Sequence, residues 1–296
     1  MNETTREIQS QPAVWERGLA MADEVAAALA APGERMLVLG CGTSWFMAQS
    51  LAELRESAGL GETDAVCASE YVAHRRYDRI LAVTRSGTST EVLDALRRAP
   101  VGAHRVAVTA VADQPVEQLI DARLLLDFAD EHSVVQTRFP TTLLAAARAG
   151  FGEDMGHLVG DGLAALAADL PADPADIDHV VFLGTRWTIG LAHEAALKVR
   201  EAAQAWSESY PAMDFRHGPV AVAGTRSLVW SFGDVPVGLD AVAHAAGARA
   251  YRDERDPIAQ LVLAQRFAVA LAAHRGLDPD TPRLLTRSVV LADQPA

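Results

Sequence analysis

The stretch HEAALKVRE, residues 193–201, holds the side chains best suited to chemistry. Glu194, Lys198 and Glu201 are spaced i, i+4 and i+7, which puts all three along one face of a helix. Lys198 is the only lysine; the other 25 of the 26 basic side chains are arginines. A guanidinium stays charged at any useful pH, whereas an amine is compact and its pKa follows its surroundings. Two readings stay open at this level. Glu194 and Lys198 have the favourable order for an exposed ion pair. The surrounding alanines, Leu197 and Val199 instead suggest a buried helix, on which charges rarely lack a role.

A second stretch, Thr84-Arg85-Ser86-Gly87-Thr88-Ser89-Thr90, sets five hydroxyls and a glycine within seven residues. Hydroxyls and backbone N–H groups at the start of a helix fit phosphate oxygens, although Ser, Thr and Gly also serve as ordinary helix caps. Gly40-Cys41-Gly42-Thr43-Ser44 is a similar loop. Neither loop has the GxxxxGK[ST] pattern or the glycine spacing of a dinucleotide fingerprint. His217 precedes Gly218-Pro219 and therefore lies in a turn.

The elements that must position these residues form an α/β pattern. RMLVLGCGTSWFMAQSLAELRES reads strand, loop, helix, and YDRILAVTRSGTSTEVLDALRRA repeats it. HRVAVTAVADQPVEQLIDARLLLDFAD adds two strands, and residues 137–168 look mostly helical. Short apolar runs alternating with helices indicate a parallel sheet covered on both faces. Residues 12–31 look helical, starting near Pro12. LPADPADID, residues 170–178, is a linker candidate. The pattern then restarts at HVVFLGTRWTIGLAHEAALKVREAAQAW, about 143 residues after its first occurrence, and TRSLVWSFGD supplies a further strand. Two halves of like layout suggest a duplicated doubly wound domain. The expected division is residues 1–169, a linker at 170–178, and 179–296 with a C-terminal tail across the second half.

Bulk properties limit the function. The chain has 296 residues and a net charge of −13, which argues against a nucleic-acid surface. An anionic substrate stays possible, because one local pocket can oppose the global field. Two cysteines make no disulfide framework, and no Cys/His set has zinc-ligand spacing. The polar N-terminus and the lack of a long apolar run lead us to expect a soluble cytoplasmic protein with no membrane partner.

In order along the chain, these residues resemble the sugar isomerase (SIS) domain family, in particular the isomerase half of glucosamine-6-phosphate synthase and related deaminases. Glu7-Ile8 and Gln11-Pro12 are similar to the family's E-I-x-x-Q-P opening, and Cys41 to Ser44 to its C-G-T-S loop. Thr84 to Glu91 resembles the phosphate loop S-x-S-G-x-[ST]-x-[DE]. Glu131 to Arg138 is similar to E-x-x-V-A-S-T-K, and Glu194 to Glu201 to E-x-A-L-K-x-[KR]-E. Phe215 to Pro219 resembles L-K-H-G-P, and Asp280 to Ser288 the ending D-x-P-R-N-L-x-K-S-V.

The resemblance implies two tandem doubly wound, flavodoxin-like SIS domains with parallel sheets, in a homodimer with shared active sites. It implies a phosphosugar substrate held by Thr43, Ser44, Thr84, Arg85, Ser86, Gly87 and Ser89, with Thr137 and Arg287 beside them. Glu201 would shuttle a proton between C1 and C2. His217, from the neighbouring subunit, would assist ring opening. Lys198 would place and tune Glu201 without acting as a nucleophile. No metal or organic cofactor is implied.

Three departures stand out. No glutaminase domain precedes the SIS region, so glutamine is not expected as the ammonia source. Arg287 replaces a lysine able to form an imine with the ketose. Arg186 replaces a glycine. The expected activity is deamination of an aminosugar phosphate such as glucosamine 6-phosphate. The alternatives are a deglycase of phosphorylated fructosamines and a phosphosugar sensor. A sensor would usually carry a helix-turn-helix domain, and the stretch before the first strand is too short for one.

Overall fold

A computed structural model describes residues 1–291. The described residues pack as two compact units, one of Ala13–Met155 with residues 286–291, the other of Met1–Pro12 with Gly156–Leu285.

The first unit is built on five parallel strands in the order β2-β1-β3-β4-β5. They are β1 (Met36–Gly40), β2 (Thr63–Cys67), β3 (Arg79–Val83), β4 (His104–Thr109) and β5 (Ala122–Leu125). The helices are the end of α1 (Glu3–Leu19), then α2 (Ala22–Leu29), α3 (Thr43–Ser57), α4 (Thr90–Arg98) and α5 (Arg138–Gly150). Strand β1 is buried at every position, as a central strand covered on both faces must be. Leu37, Leu39, Ile80 and Ala82 pack against Val92 and Leu96 of α4.

The second unit has four parallel strands in the order β7-β6-β8-β9. They are β6 (His179–Gly184), β7 (Trp206–Pro211), β8 (Ser227–Ser231) and β9 (Arg249–Tyr251), with α6 (Leu158–Ala167), α7 (Thr188–Ala203), α8 (Leu239–Ala245) and α9 (Pro257–His274). Helix α9 has the length and composition of a membrane span, but 67% of it is buried inside the protein, so it is a core helix. Its Phe267 packs edge-on to Trp230 of β8 at 6.3 Å.

The ends of β1 and β6 are alike in detail. A Cβ built on Gly40 would lie 2.4 Å from Ser44 C, and one on Gly184 would lie 2.4 Å from Thr188 O. Both strands end on a glycine because the following helix folds back onto its backbone. Two residues further on, Gly42 and Arg186 share a left-handed φ, +52° and +51°.

Helix α1 starts at Glu3, nine residues before the expected Pro12. Asp280 caps it from far along the chain, accepting from Glu3 N at 2.6 Å and Thr4 N at 2.8 Å. Pro12 lies inside the helix and cannot donate to the Ile8 carbonyl. The Gln11 side chain donates to that carbonyl instead, at 3.3 Å.

Arg55 on α3 is 1% exposed and donates to six main-chain carbonyls. They include those of Leu29, Ala30 and Ala31 at the end of α2. Carbonyl dipoles at a helix C-terminus can hold a buried cation without a carboxylate. Burial still pulls its pKa below the ordinary arginine value. Arg55→Met would strand these carbonyls, and we expect a loss of about 3 kcal/mol or more in a urea melt.

Candidate active site

In the first unit the strand order turns back between β1 and β3, which is where open α/β sheets bind ligands. The loops after these two strands lead into α3 and α4, and they line a small polar pocket with Cys41, Ser44, Thr84, Arg85, Ser86 and Ser89. The second loop scaffolds itself. Gly87 N donates to Thr84 Oγ1 at 3.2 Å, and Thr88 Oγ1 donates to Ser86 Oγ at 2.9 Å.

Arg85 is the buried cation of this pocket, with a side chain 1% exposed. Its Nη1 reaches Glu131 Oε2 at 3.3 Å and Ser133 O at 3.1 Å, and its Nη2 reaches Arg287 O at 2.9 Å. Its Nε is buried without a hydrogen-bond partner, as is Oε1 of the neighbouring Gln136. A stranded buried donor costs about 1–3 kcal/mol, and an anionic oxygen in the pocket would relieve that cost. Glu131 in turn accepts from the amides of Thr137, Arg138 and Phe139. It thus neutralises Arg85 and caps the N-terminus of α5 at once.

In the second unit, α7 carries Glu194, Lys198 and Glu201 on one face. Lys198 Nζ lies 3.1 Å from Glu194 Oε1 and 2.7 Å from Glu201 Oε2. Lys198 and Glu194 are fully buried, while Glu201 keeps 18% of its side chain exposed. Burial pulls the Lys198 pKa down, but the two carboxylates reverse this and hold it above the ordinary lysine value. Lys198 is therefore an ammonium at neutral pH, a positioning charge and not a free amine. Glu201 opens onto a groove of about 360 Å³ lined by Leu197, Arg200, Gln204, Arg283, Leu284 and Leu285.

No protein-family model matches the chain. Glutamine–fructose-6-phosphate aminotransferase (isomerizing) of Aeropyrum pernix is 30% identical over 325 residues, covering 90% of this chain and 52% of its own length. The chain spans about half the length of the curated relatives it matches. A crystal structure of glucosamine-6-phosphate deaminase from Thermotoga maritima superposes with a TM-score of 0.80 at 25% identity, covering 98% of this chain and 100% of its own. The chain is a sugar isomerase (SIS) homologue. Tagatose-6-phosphate ketose/aldose isomerase from Escherichia coli shares the fold, with a TM-score of 0.78 at 21% identity over 99% of this chain and 98% of its own.

In this SIS homologue the residues singled out from the sequence fall in three places. Ser44, Thr84, Arg85, Ser86 and Ser89 line the polar pocket together with Arg287, and Gly87 belongs to the same loop. Thr43 is the buried first residue of α3. Thr137 turns its amide and hydroxyl to Glu131, and the residue before it, Gln136, lines the pocket. Lys198 and Glu201 stand together on α7. His217 ends a short exposed turn, Asp214–His217, whose Phe215 is buried.

Arg287 donates to Glu131 O at 3.1 Å and pairs with Asp130. The chain groups with the second unit as far as Leu285. Beyond it, Ser288 Oγ lies 2.9 Å from Thr88 Oγ1, and Val289 O accepts from Thr90 N at 3.1 Å.

Two features of the pocket give direct tests. Burial, and then the Glu91 charge, push the Cys41 thiol up to about 12. Only about one in ten thousand molecules carries the thiolate at pH 8, so Cys41 should resist iodoacetamide there, as read by peptide mass spectrometry. Gly87 has φ +68°, and a Cβ on it would lie 2.6 Å from Gln114 Cβ. We expect Gly87→Ala to cost about 1–3 kcal/mol of stability, as read in a urea melt.

Proposed function

We propose that this SIS homologue is an enzyme that transfers a proton between C1 and C2 of an amine-bearing sugar phosphate and releases the amine. Glucosamine 6-phosphate is the simplest such substrate. The observation that carries this reading is Glu201, a partly exposed carboxylate held at 2.7 Å by a buried ammonium and facing a groove. A base of this kind is what removal of a proton next to a carbonyl requires. The polar pocket supports the phosphate assignment, because its hydroxyls, two helix starts and stranded Arg85 Nε all favour an anion.

The side-chain amine chemistry points the same way. Arg287 is committed to Asp130 and Glu131, and Lys198 is held as an ammonium. Neither is suited to forming an imine with a ketose, which leaves proton transfer as the side-chain contribution. The family resemblance supports further parts of the reading: two tandem SIS domains, a homodimer with shared sites, and ring opening assisted by His217 of the neighbouring copy. The exposed position of His217 suits that last role. The compartment we propose is the cytoplasm.

A deglycase reading is favoured by one observation, the size of the groove beside Glu201. The experiment is a free-ammonia assay on the purified protein with glucosamine 6-phosphate, with Glu201→Gln as control. Ammonia from the wild type and none from the variant supports the reading. No ammonia, with no other phosphosugar consumed, would sink it and leave a phosphosugar sensor.

A further inference from the structure

Three helices of the second unit turn apolar side chains towards a space that the protein does not fill. Helix α9 contributes Arg266, Val269, Ala270 and Ala273, spaced i, i+3, i+4 and i+7 and so on one stripe. A different stripe of α9, with Leu263, Phe267 and Leu271, is the one buried in the core. The start of α1 brings Ile8 to the cleft, and the end of α6 and the turn after it bring Leu166 and Leu170. Leu163, one helical turn before Leu166, lies on the same face of α6 and is 57% exposed. The cleft measures about 540 Å³, within the roughly 300–1,000 Å³ of small-molecule sites. Protein interiors are close-packed, and an open cleft with aliphatic walls keeps apolar surface in water.

Arg266 gives the cleft its polarity. Its Nη1 donates to Ala165 O and Ala168 O, both at 2.7 Å, at the C-terminal end of α6, where carbonyl dipoles hold a cation in place. Among the described residues, no carboxylate pairs with Arg266, and Nη1 makes its hydrogen bonds. Burial, and then the like charge of Arg255, hold its pKa below the ordinary arginine value, and Asp169 only partly offsets them. Arg266 is thus a half-buried cation, fixed through one nitrogen and lacking a counter-ion.

We infer that this cleft binds a small amphipathic monocarboxylate with an unbranched aliphatic chain, its carboxylate on Arg266 and its chain along Ile8, Leu166, Leu170 and Val269. The cation selects an acid, through charge-assisted hydrogen bonds from the nitrogens that α6 does not use. The walls carry no aromatic ring, so an alkyl chain suits them better than a flat ring that gains by stacking. The small Ala270 and Ala273 leave width for that chain. The cleft lies wholly within the second unit. It shares no lining residue with the polar pocket or with the groove beside Glu201, so it is a site apart from the proposed reaction.

The test is isothermal titration of the full chain with octanoate, hexanoate and octanamide. Octanoate should bind with a Kd below about 1 mM. Hexanoate, shorter by two methylenes, should bind about tenfold more weakly. Octanamide should also lose about tenfold or more, because it lacks the charge that pairs with Arg266. Arg266→Gln keeps a donor for the α6 carbonyls but not the charge, and should erase the difference between octanoate and octanamide. Ala270→Phe fills the cleft from a partly exposed position, leaves Arg266 in place, and should abolish octanoate binding. A wild type that takes no octanoate overturns the inference. So does octanamide binding equal to octanoate, or octanoate binding undiminished in Ala270→Phe. Sedimentation velocity covers the other occupant: a cleft variant that changes the oligomeric state, with no octanoate bound by the wild type, would place a second copy of the chain there and overturn the inference too.

Discussion

Glu201→Gln should lower kcat by about a thousandfold while changing sugar-phosphate affinity by less than about threefold. The amide keeps the shape of the carboxylate but cannot accept a proton, so the loss falls on the chemical step. The fold should tolerate the change. Glu201 is the most exposed member of its triad at 18%, and Lys198 retains Glu194 at 3.1 Å. The variant leaves one buried cation facing one buried anion, a neutral pair. Its melting temperature should therefore stay within a few degrees of the wild type. Steady-state kinetics and a thermal-shift titration with sugar phosphate separate the two quantities. An unchanged kcat would remove Glu201 as the base. A lost affinity with little change in kcat would fit a binding protein better than an enzyme.

The parts of this site that were legible in the sequence are those whose signal is local. The loops after β1 and β3 could be found because apolar runs end abruptly in glycine and hydroxyl residues. The face shared by Glu194, Lys198 and Glu201 follows from helical spacing alone. The edge strands were harder. TDAVC and WSESYP, which form β2 and β7, are short and broken by polar residues, and edge strands need no continuous apolar run.

Glu131 was invisible as a functional residue, although its motif could be read. It caps α5 from several residues upstream and meets Arg85 across 46 positions. No local pattern encodes either contact. Asp280 capping α1 is the same problem at a separation of 277. A glutamate followed six residues later by a hydroxyl at a helix start was the one available hint for Glu131. The course of the tail is hard to read for a similar reason. Its direction is set by Arg287 and Ser288, whose partners Asp130 and Thr88 lie in the first half.

Lys198→Met should be the most damaging single change on α7, in both stability and rate. It removes the cation from between two carboxylates that lie 3.1 and 2.7 Å from it. Breaking a buried charge pair in this way costs about 3–5 kcal/mol. The pH dependence identifies the cause. In the wild type the Lys198 pKa is raised, so its contribution is present at neutral pH and is lost only as pH climbs through that raised value. In the variant, burial and mutual repulsion should raise the carboxyl pKa values above their unfolded values. A raised carboxyl favours the folded state below the unfolded pKa and opposes it as pH rises. The stability deficit should therefore be larger at pH 8 than at pH 5 in urea melts at the two values. An equal deficit at both would indicate lost packing and not lost charge. Lys198→Arg supplies the complementary test. It keeps the charge but puts a longer, planar fork into a site 1% exposed. Turnover should fall at least about tenfold as Glu201 is displaced. Full turnover would show that any cation suffices there, and that the chain's only lysine is an accident of composition.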